Sequence, residues 1–226
     1  MSPTQPPTIF LSHRDAYRVE VAALAAELHH FYLGTFVAHE DIEGGAQWRA
    51  ALLRELKRMS ALVAIVTDDF HSGGWTDQEI GFAIATEKPI IGVRIGQEVP
   101  KGFLADVQAV RGSFSQLRQL ACAVVKALAL YLPIEANTKA SLIQMFVESN
   151  SWASAEARFD RLEAVTTSLT DAEIEMLTKA FRENVEINFC NAIVYPAFGS
   201  RFATFLTRFS GRQYFTPEKG KLVVSG

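Results

Sequence analysis

Thr8-Ile9-Phe10-Leu11 is a β-rich run, Val21, Leu24, Ala25, Leu28, Phe31 and Tyr32 follow it at steps of three and four residues, and Thr35-Phe36-Val37-Ala38 is a second β-rich run. Strand, amphipathic helix, strand is the pattern of parallel strands joined by a crossover helix. It repeats outward. Leu62–Val66, Ile90–Val93 and Val107–Val110 read as three more strands, so five are expected, and their continuous apolar character suits a sheet covered on both faces. Trp48, Leu52, Leu56 and Met59 mark a second helix, Ile80 to Ala85 lies in a third, and Leu117, Leu120, Val124, Leu128 and Tyr131 mark the last of this half. The crossover over 97–106 reads as irregular.

From Asn137 the period changes. Stripes over Leu142–Phe146, Phe159–Leu162–Val165, Ile174–Leu177–Phe181 and Phe198–Phe202–Phe205–Phe209 predict consecutive helices. Thr170 and Glu173 form a capping-box signature before one of them, and Pro196 opens another where a helix tolerates proline best. Tyr214-Phe215 and Leu222-Val223-Val224, around Pro217-Glu218-Lys219-Gly220, suggest a small hairpin. Leu132 to Asn137 reads as a short separator. The expected organisation is an α/β domain over 1–133 and a smaller all-α domain over 137–226. The Phe198 stripe is too apolar to face water, and its expected place is a core.

Composition narrows the function classes. With 49% hydrophobic and 21% charged residues, the 226-residue chain is expected to fold into ordinary globular domains. A net charge of -3, without a basic stripe interleaved with aromatics, argues against nucleic acid as a partner. The longest apolar run, Ala121 to Leu132, is interrupted by Lys126, and Met1 to Pro7 carries no signal-peptide pattern, so no membrane partner and a cytoplasmic location are expected. Cys122 and Cys190 are too few for a disulfide framework.

Three stretches are candidates for chemistry. Ser12-His13-Arg14-Asp15 follows the first strand, where a doubly wound sheet places its ligands. Arg14 there is either a phosphate contact or a solvated charge beside a residue that caps the next helix. His39 to Gly45 is a polar loop ended by two glycines; its carboxylates lack histidines at ligand spacing, and no metal is expected. The third stretch is Gly73-Gly74-Trp75-Thr76-Asp77-Gln78-Glu79-Ile80-Gly81. If a helix begins at Trp75, then Trp75 and Glu79 share a face. Thr76-x-x-Glu79 equally matches a capping box, in which Glu79 only reaches back to the helix start.

In order along the chain, these stretches resemble the Toll/interleukin receptor (TIR) domain over roughly the first 130 residues. Phe10-Leu11-Ser12-His13-Arg14 resembles the family's first box, and Ala38 to Gly45 occupies its flexible loop. Trp75-x-x-x-Glu79 resembles the tryptophan-glutamate motif of the members that cleave NAD. The loop wording Glu40-Asp41-Ile42-Glu43-Gly44-Gly45 departs from the Arg-Asp-x-x-Pro-Gly form of animal receptors, and the Phe-Trp third box is absent, as in many bacterial members. The resemblance therefore favours the bacterial NAD-cleaving type over animal-type adaptor binding.

That resemblance implies a flavodoxin-like sheet and an NAD glycohydrolase or cyclase in bacterial antiphage defence; the alternative is a non-catalytic scaffold or a mimic of host receptors. It implies Glu79 as the catalytic carboxylate, with Ser12, His13, Arg14, Glu43 and Trp75 around the substrate. NAD enters as substrate, with no separate cofactor. Self-association through TIR surfaces, and an effector or sensor bound by residues 137–226, complete the expected partners.

Overall fold

The structure is a computed structural model that describes residues 6–37, 46–72, 74–97, 102–105, 107, 109–189, 196–216 and 221–225. The expected acidic stretch with Glu43, Cys190 and residues 217–220 lie outside the described residues. The chain divides into two compact units, Met1–Ile134 and Glu135–Gly226.

In the first unit, strands and helices alternate: β1 (Thr8–Ser12), α1 (Arg18–His29), β2 (Gly34–Val37), α2 (Ala46–Arg58), β3 (Ala61–Val66), α3 (Trp75–Ala85), β4 (Ile90–Arg94), β5 (Ala109–Arg111) and α4 (Leu117–Leu128). The strands form one sheet in the order β2-β1-β3-β4-β5, and every neighbouring pair is parallel. This is the flavodoxin-like doubly wound order. β3 lies at the centre and is buried throughout, which is why its sequence is an unbroken apolar run. Phe10, Leu62, Ala64 and Val66 share a core with Leu52 and Leu56 of α2 and Ile80 and Ala83 of α3. Because side chains alternate along a strand, Ile9, Leu11, Val63 and Ile65 face the opposite side, where α1 and α4 pack together.

Two of the predicted helical stripes run past their helices. α1 ends at His29, and the N–H groups of His30, Phe31 and Tyr32 then bond to the carbonyls three residues back. Phe31 stays buried, but Tyr32 takes a left-handed backbone (φ 55°) to turn into β2 and is 47% exposed. Tyr131 likewise lies beyond α4 and is exposed. The fifth strand is also shifted, starting at Ala109 instead of Val107.

The second unit contains α5 (Ile134–Val147), α6 (Trp152–Val165), α7 (Asp171–Glu183), α8 (Val185–Phe189), α9 (Pro196–Ser210) and an antiparallel hairpin of β6 (Gln213–Phe215) and β7 (Val223–Ser225). The predicted capping box is present: Thr170 Oγ1 accepts from the Glu173 N–H, and Glu173 accepts from the Thr170 N–H. The Phe198, Phe202 and Phe205 stripe of α9 is buried against Phe146, Phe159 and Phe181 of its sister helices. Residues 134–137, read from sequence as a separator, are instead the first turn of α5. Its Glu135 accepts hydrogen bonds from the Thr167 and Ser168 N–H groups, a carboxylate placed where the helix dipole favours it. Among the described residues no helix is long and apolar enough to cross a membrane.

Lys139 fastens α5 to α7. Its Nζ lies 3.5 Å from Glu135 and 3.2 Å from Glu173, and donates to the Ser168 carbonyl at 2.9 Å. Burial pushes the Glu135 carboxyl up, but the Thr167 hydroxyl and N–H, the Ser168 N–H and the Lys139 ammonium together hold it below its ordinary value of 4.5. At Glu173 burial is likewise outweighed, by Thr170 and Lys139. A carboxyl lowered in the folded state gives stability that is complete above its unfolded value and is lost as pH falls through its folded one. The urea midpoint is therefore expected to fall as the medium is acidified below about pH 4.5. In the Glu135→Gln, Glu173→Gln double variant the same decline should be shallower. Equal slopes for the two proteins in a pH series of urea melts would show that these carboxyls are not responsible.

Candidate active site

A parallel sheet of order 2-1-3-4-5 reverses direction between β1 and β3, and a crevice opens beyond the carboxyl ends of those strands. The residues after β1 and β3 meet there. Arg14 Nε lies 3.6 Å from Asp69 Oδ2, an ion pair between the two loops. Ser12 closes β1 on the same face as Phe10, by the two-residue period. That is the face covered by α3, and the Ser12 hydroxyl donates to Glu79 Oε2 at 2.6 Å. Both residues are buried, Ser12 fully and Glu79 to 5% exposure.

The start of α3 fixes where Glu79 sits. Gly74 precedes the helix with a left-handed backbone (φ 70°), a conformation glycine adopts without strain. Nothing would meet a Cβ there, so the demand on Gly74 is conformational. The helix then begins at Trp75, and Gly74 makes no side-chain cap. Thr76 is therefore inside the helix, where its hydroxyl donates to the Phe70 carbonyl at 2.8 Å. His71 Nδ1 and Asp77 Oδ1, 2.8 Å apart, add a second tie between the preceding turn and the helix. Thr76-x-x-Glu79 is not a capping box, because the cap position is Gly74 and the threonine lies two residues past it, inside the first turn.

Trp75 and Glu79 line a cleft of about 550 Å³. Its walls are two helix stripes of identical spacing: Arg49, Leu52, Leu53 and Leu56 on α2, and Trp75, Gln78, Glu79 and Phe82 on α3. Positions i, i+3, i+4 and i+7 form one face of a helix, so each helix turns one face to the cleft. Leu52 and Leu56 are buried at its floor. Glu79 is the acidic lining residue and Arg49 the basic one, among the described residues.

A family model described as a TIR domain matches residues 9–121, half of the chain. The chain belongs to the TIR-domain family. No curated protein matches it. The TIR match spans β1 into α4, so it includes the whole cleft. A TIR-family function follows, either NAD cleavage or the assembly of a signalling scaffold.

Of the residues expected around the TIR site, the structure brings Trp75 and Glu79 into one cleft and joins Ser12 to it through Glu79. His13 is buried beside Ser12. Arg14 is neither a solvated charge nor next to a capping side chain; it is engaged by Asp69. Glu43 lies outside the described residues. Arg49, Gln78 and Phe82 were not expected at the site. The available signal was that 49/52/53/56 and 75/78/79/82 repeat the same spacing. Among the described residues no group of His, Cys, Asp and Glu is placed to hold a metal ion.

Proposed function

We propose that this TIR protein cleaves the nicotinamide–ribose bond of NAD, as a glycohydrolase or cyclase acting in the cytoplasm in bacterial antiphage defence. The carrying observation is the Glu79 carboxylate, 5% exposed, held by the Ser12 hydroxyl at 2.6 Å in the same cleft as Trp75.

The chemistry requires one carboxylate. Most glycosidases need a second carboxyl group to protonate a poor leaving group. Nicotinamide in NAD is already a pyridinium cation, so when the C–N bond breaks its electron pair neutralises the ring and nicotinamide leaves without a proton. The ribosyl centre left behind is an oxocarbenium-like cation. Glu79 stabilises that developing charge from a site screened from water, where a fixed carboxylate acts more strongly than in solution. Ser12 orients the carboxylate, and Trp75 forms the wall that limits the entry of water. Water, or a nucleophile of the substrate itself, then captures the cation. His13, Arg14 and Glu43 border the nucleotide on this reading, and NAD is the substrate with no further cofactor.

The first test is incubation of purified protein with NAD and measurement of nicotinamide across a concentration series. Specific activity is expected to rise with protein concentration, because self-association of TIR surfaces would raise the fraction of protein in its competent state. The helical unit would then control assembly or bind an effector or sensor. Absence of nicotinamide at high protein concentration would overturn the enzyme reading and leave the scaffold. Constant specific activity from a monomer at every concentration would overturn the dependence on assembly.

Ser12→Ala supplies a second test. It removes a charge-assisted hydrogen bond to Glu79, an interaction of about 1.5–3 kcal/mol, so kcat is expected to fall roughly 10- to 100-fold. Ser12→Thr, which keeps a hydroxyl, should recover part of it. An unchanged kcat in the alanine variant would show that Ser12 does not position the carboxylate.

A further inference from the structure

The charges of the cleft are arranged as a dipole. Glu79 is buried on the α3 wall, Arg49 is exposed on the α2 wall, and Leu53, Trp75 and Phe82 contribute uncharged surface. Arg49 also sits in the first turn of α2, which carries no acidic residue. A helix start is the positive end of the peptide dipole and disfavours a cation, whereas Lys57 and Arg58 at the other end of α2 are placed as the dipole prefers. An anion bound at Arg49 would relieve that conflict, since guanidinium and helix start both attract it.

We propose that Arg49 holds the diphosphate of the substrate, which makes the cleft selective for pyridinium nucleotides that carry phosphate over the phosphate-free nucleoside. This rests on the NAD reading of the Glu79 site. The substrate matches the cleft in sign at both ends: its cationic pyridinium and ribosyl centre go to Glu79, and its anionic diphosphate goes to Arg49. Without a cation on the α2 wall, the diphosphate would face the Glu79 carboxylate with nothing on the described lining to offset the repulsion. Arg49 acts in this scheme on binding, and the bond-breaking step remains with Glu79.

The test compares the full-length protein with Arg49→Gln and Arg49→Lys, using NAD and nicotinamide riboside. Loss of the guanidinium is expected to raise KM for NAD roughly tenfold or more, with kcat nearly unchanged. Release of nicotinamide from the riboside should not change, and lysine should restore part of the NAD affinity because it keeps the charge without the fork. Equal losses on both substrates, or no loss on either, would overturn the assignment. Calorimetric titration of NAD into Glu79→Gln and into the Glu79→Gln, Arg49→Gln double variant separates this from the cleavage reading. If the wild-type protein releases no nicotinamide but the double variant binds NAD at least tenfold more weakly, the cleavage reading falls and the role of Arg49 stands. Equal affinities, or no binding by either variant, would overturn it.

Discussion

Glu79→Gln is expected to lower nicotinamide release from NAD by on the order of 10²-fold or more, the loss seen when a central electrostatic stabiliser is removed. Glutamine keeps the size of the side chain, and its amide oxygen still accepts from the Ser12 hydroxyl, so the geometry at 2.6 Å has a neutral counterpart. What disappears is the negative charge that the ribosyl cation meets. Folding should not suffer. Glu79 is the fifth residue of α3 and takes no part in capping it, because the helix begins at Trp75 after Gly74. Removing a charge from a side chain only 5% exposed relieves desolvation, so the melting temperature is expected to equal or exceed that of the wild type. Lower activity with undiminished stability is the signature of a functional carboxylate. A variant that melts earlier and keeps full activity would identify Glu79 as a structural residue.

Much of this was legible in the sequence, for identifiable reasons. Five parallel strands could be read because four of them are continuous apolar runs, which only a doubly covered sheet requires. The Thr170–Glu173 box could be read because it lies directly before the Ile174–Leu177–Phe181 stripe, and the structure shows both of its reciprocal bonds. At α3 the pattern was ambiguous: the Trp75-x-x-x-Glu79 reading starts the helix at Trp75, the Thr76-x-x-Glu79 capping box starts it two residues later at Asp77, and the left-handed Gly74 decides it. The Arg14–Asp69 pair was illegible because it joins loops after different strands, a contact set by strand order and not by local spacing. Arg49 was hidden for another reason. A charged residue beside an apolar stripe reads as the solvent face of a helix, and only the neighbouring stripe of α3 turns that edge into the wall of a cleft. Tyr32 and Tyr131 show the converse failure, since an apolar period continues in sequence after the helix has ended.

Phe202→Ala is expected to have the largest effect on stability. Phe202 is fully buried in α9, with ring centroids of Phe181 at 4.8 Å, Phe159 at 5.4 Å, Phe146 at 5.8 Å and Phe198 at 6.3 Å. Those rings come from α5, α6, α7 and α9, so one deletion loosens four helices of the second unit at once. A buried phenylalanine cut to alanine costs about 3–5 kcal/mol, a large part of the roughly 5–15 kcal/mol that holds a typical domain together. The neighbouring Arg201 does not compensate. It bonds Asp160 at 2.7 Å and Glu163 at 2.8 Å and lies 5.0 Å over the Phe159 ring, so it fastens α9 to α6 from the more exposed side. These pairs are half-buried, with the Arg201 side chain 40% exposed, and pairs that reach solvent in this way contribute about 1 kcal/mol. Urea melts followed by near-ultraviolet circular dichroism should therefore show the aromatic signal of Phe202→Ala lost at much lower denaturant, while Arg201→Ala shifts it only slightly. If the helical unit governs assembly, Phe202→Ala should also reduce nicotinamide release per molecule most severely in dilute protein and less so in concentrated protein. A Phe202→Ala protein whose urea midpoint matches that of Arg201→Ala would show that the ring cluster is not the core of this unit.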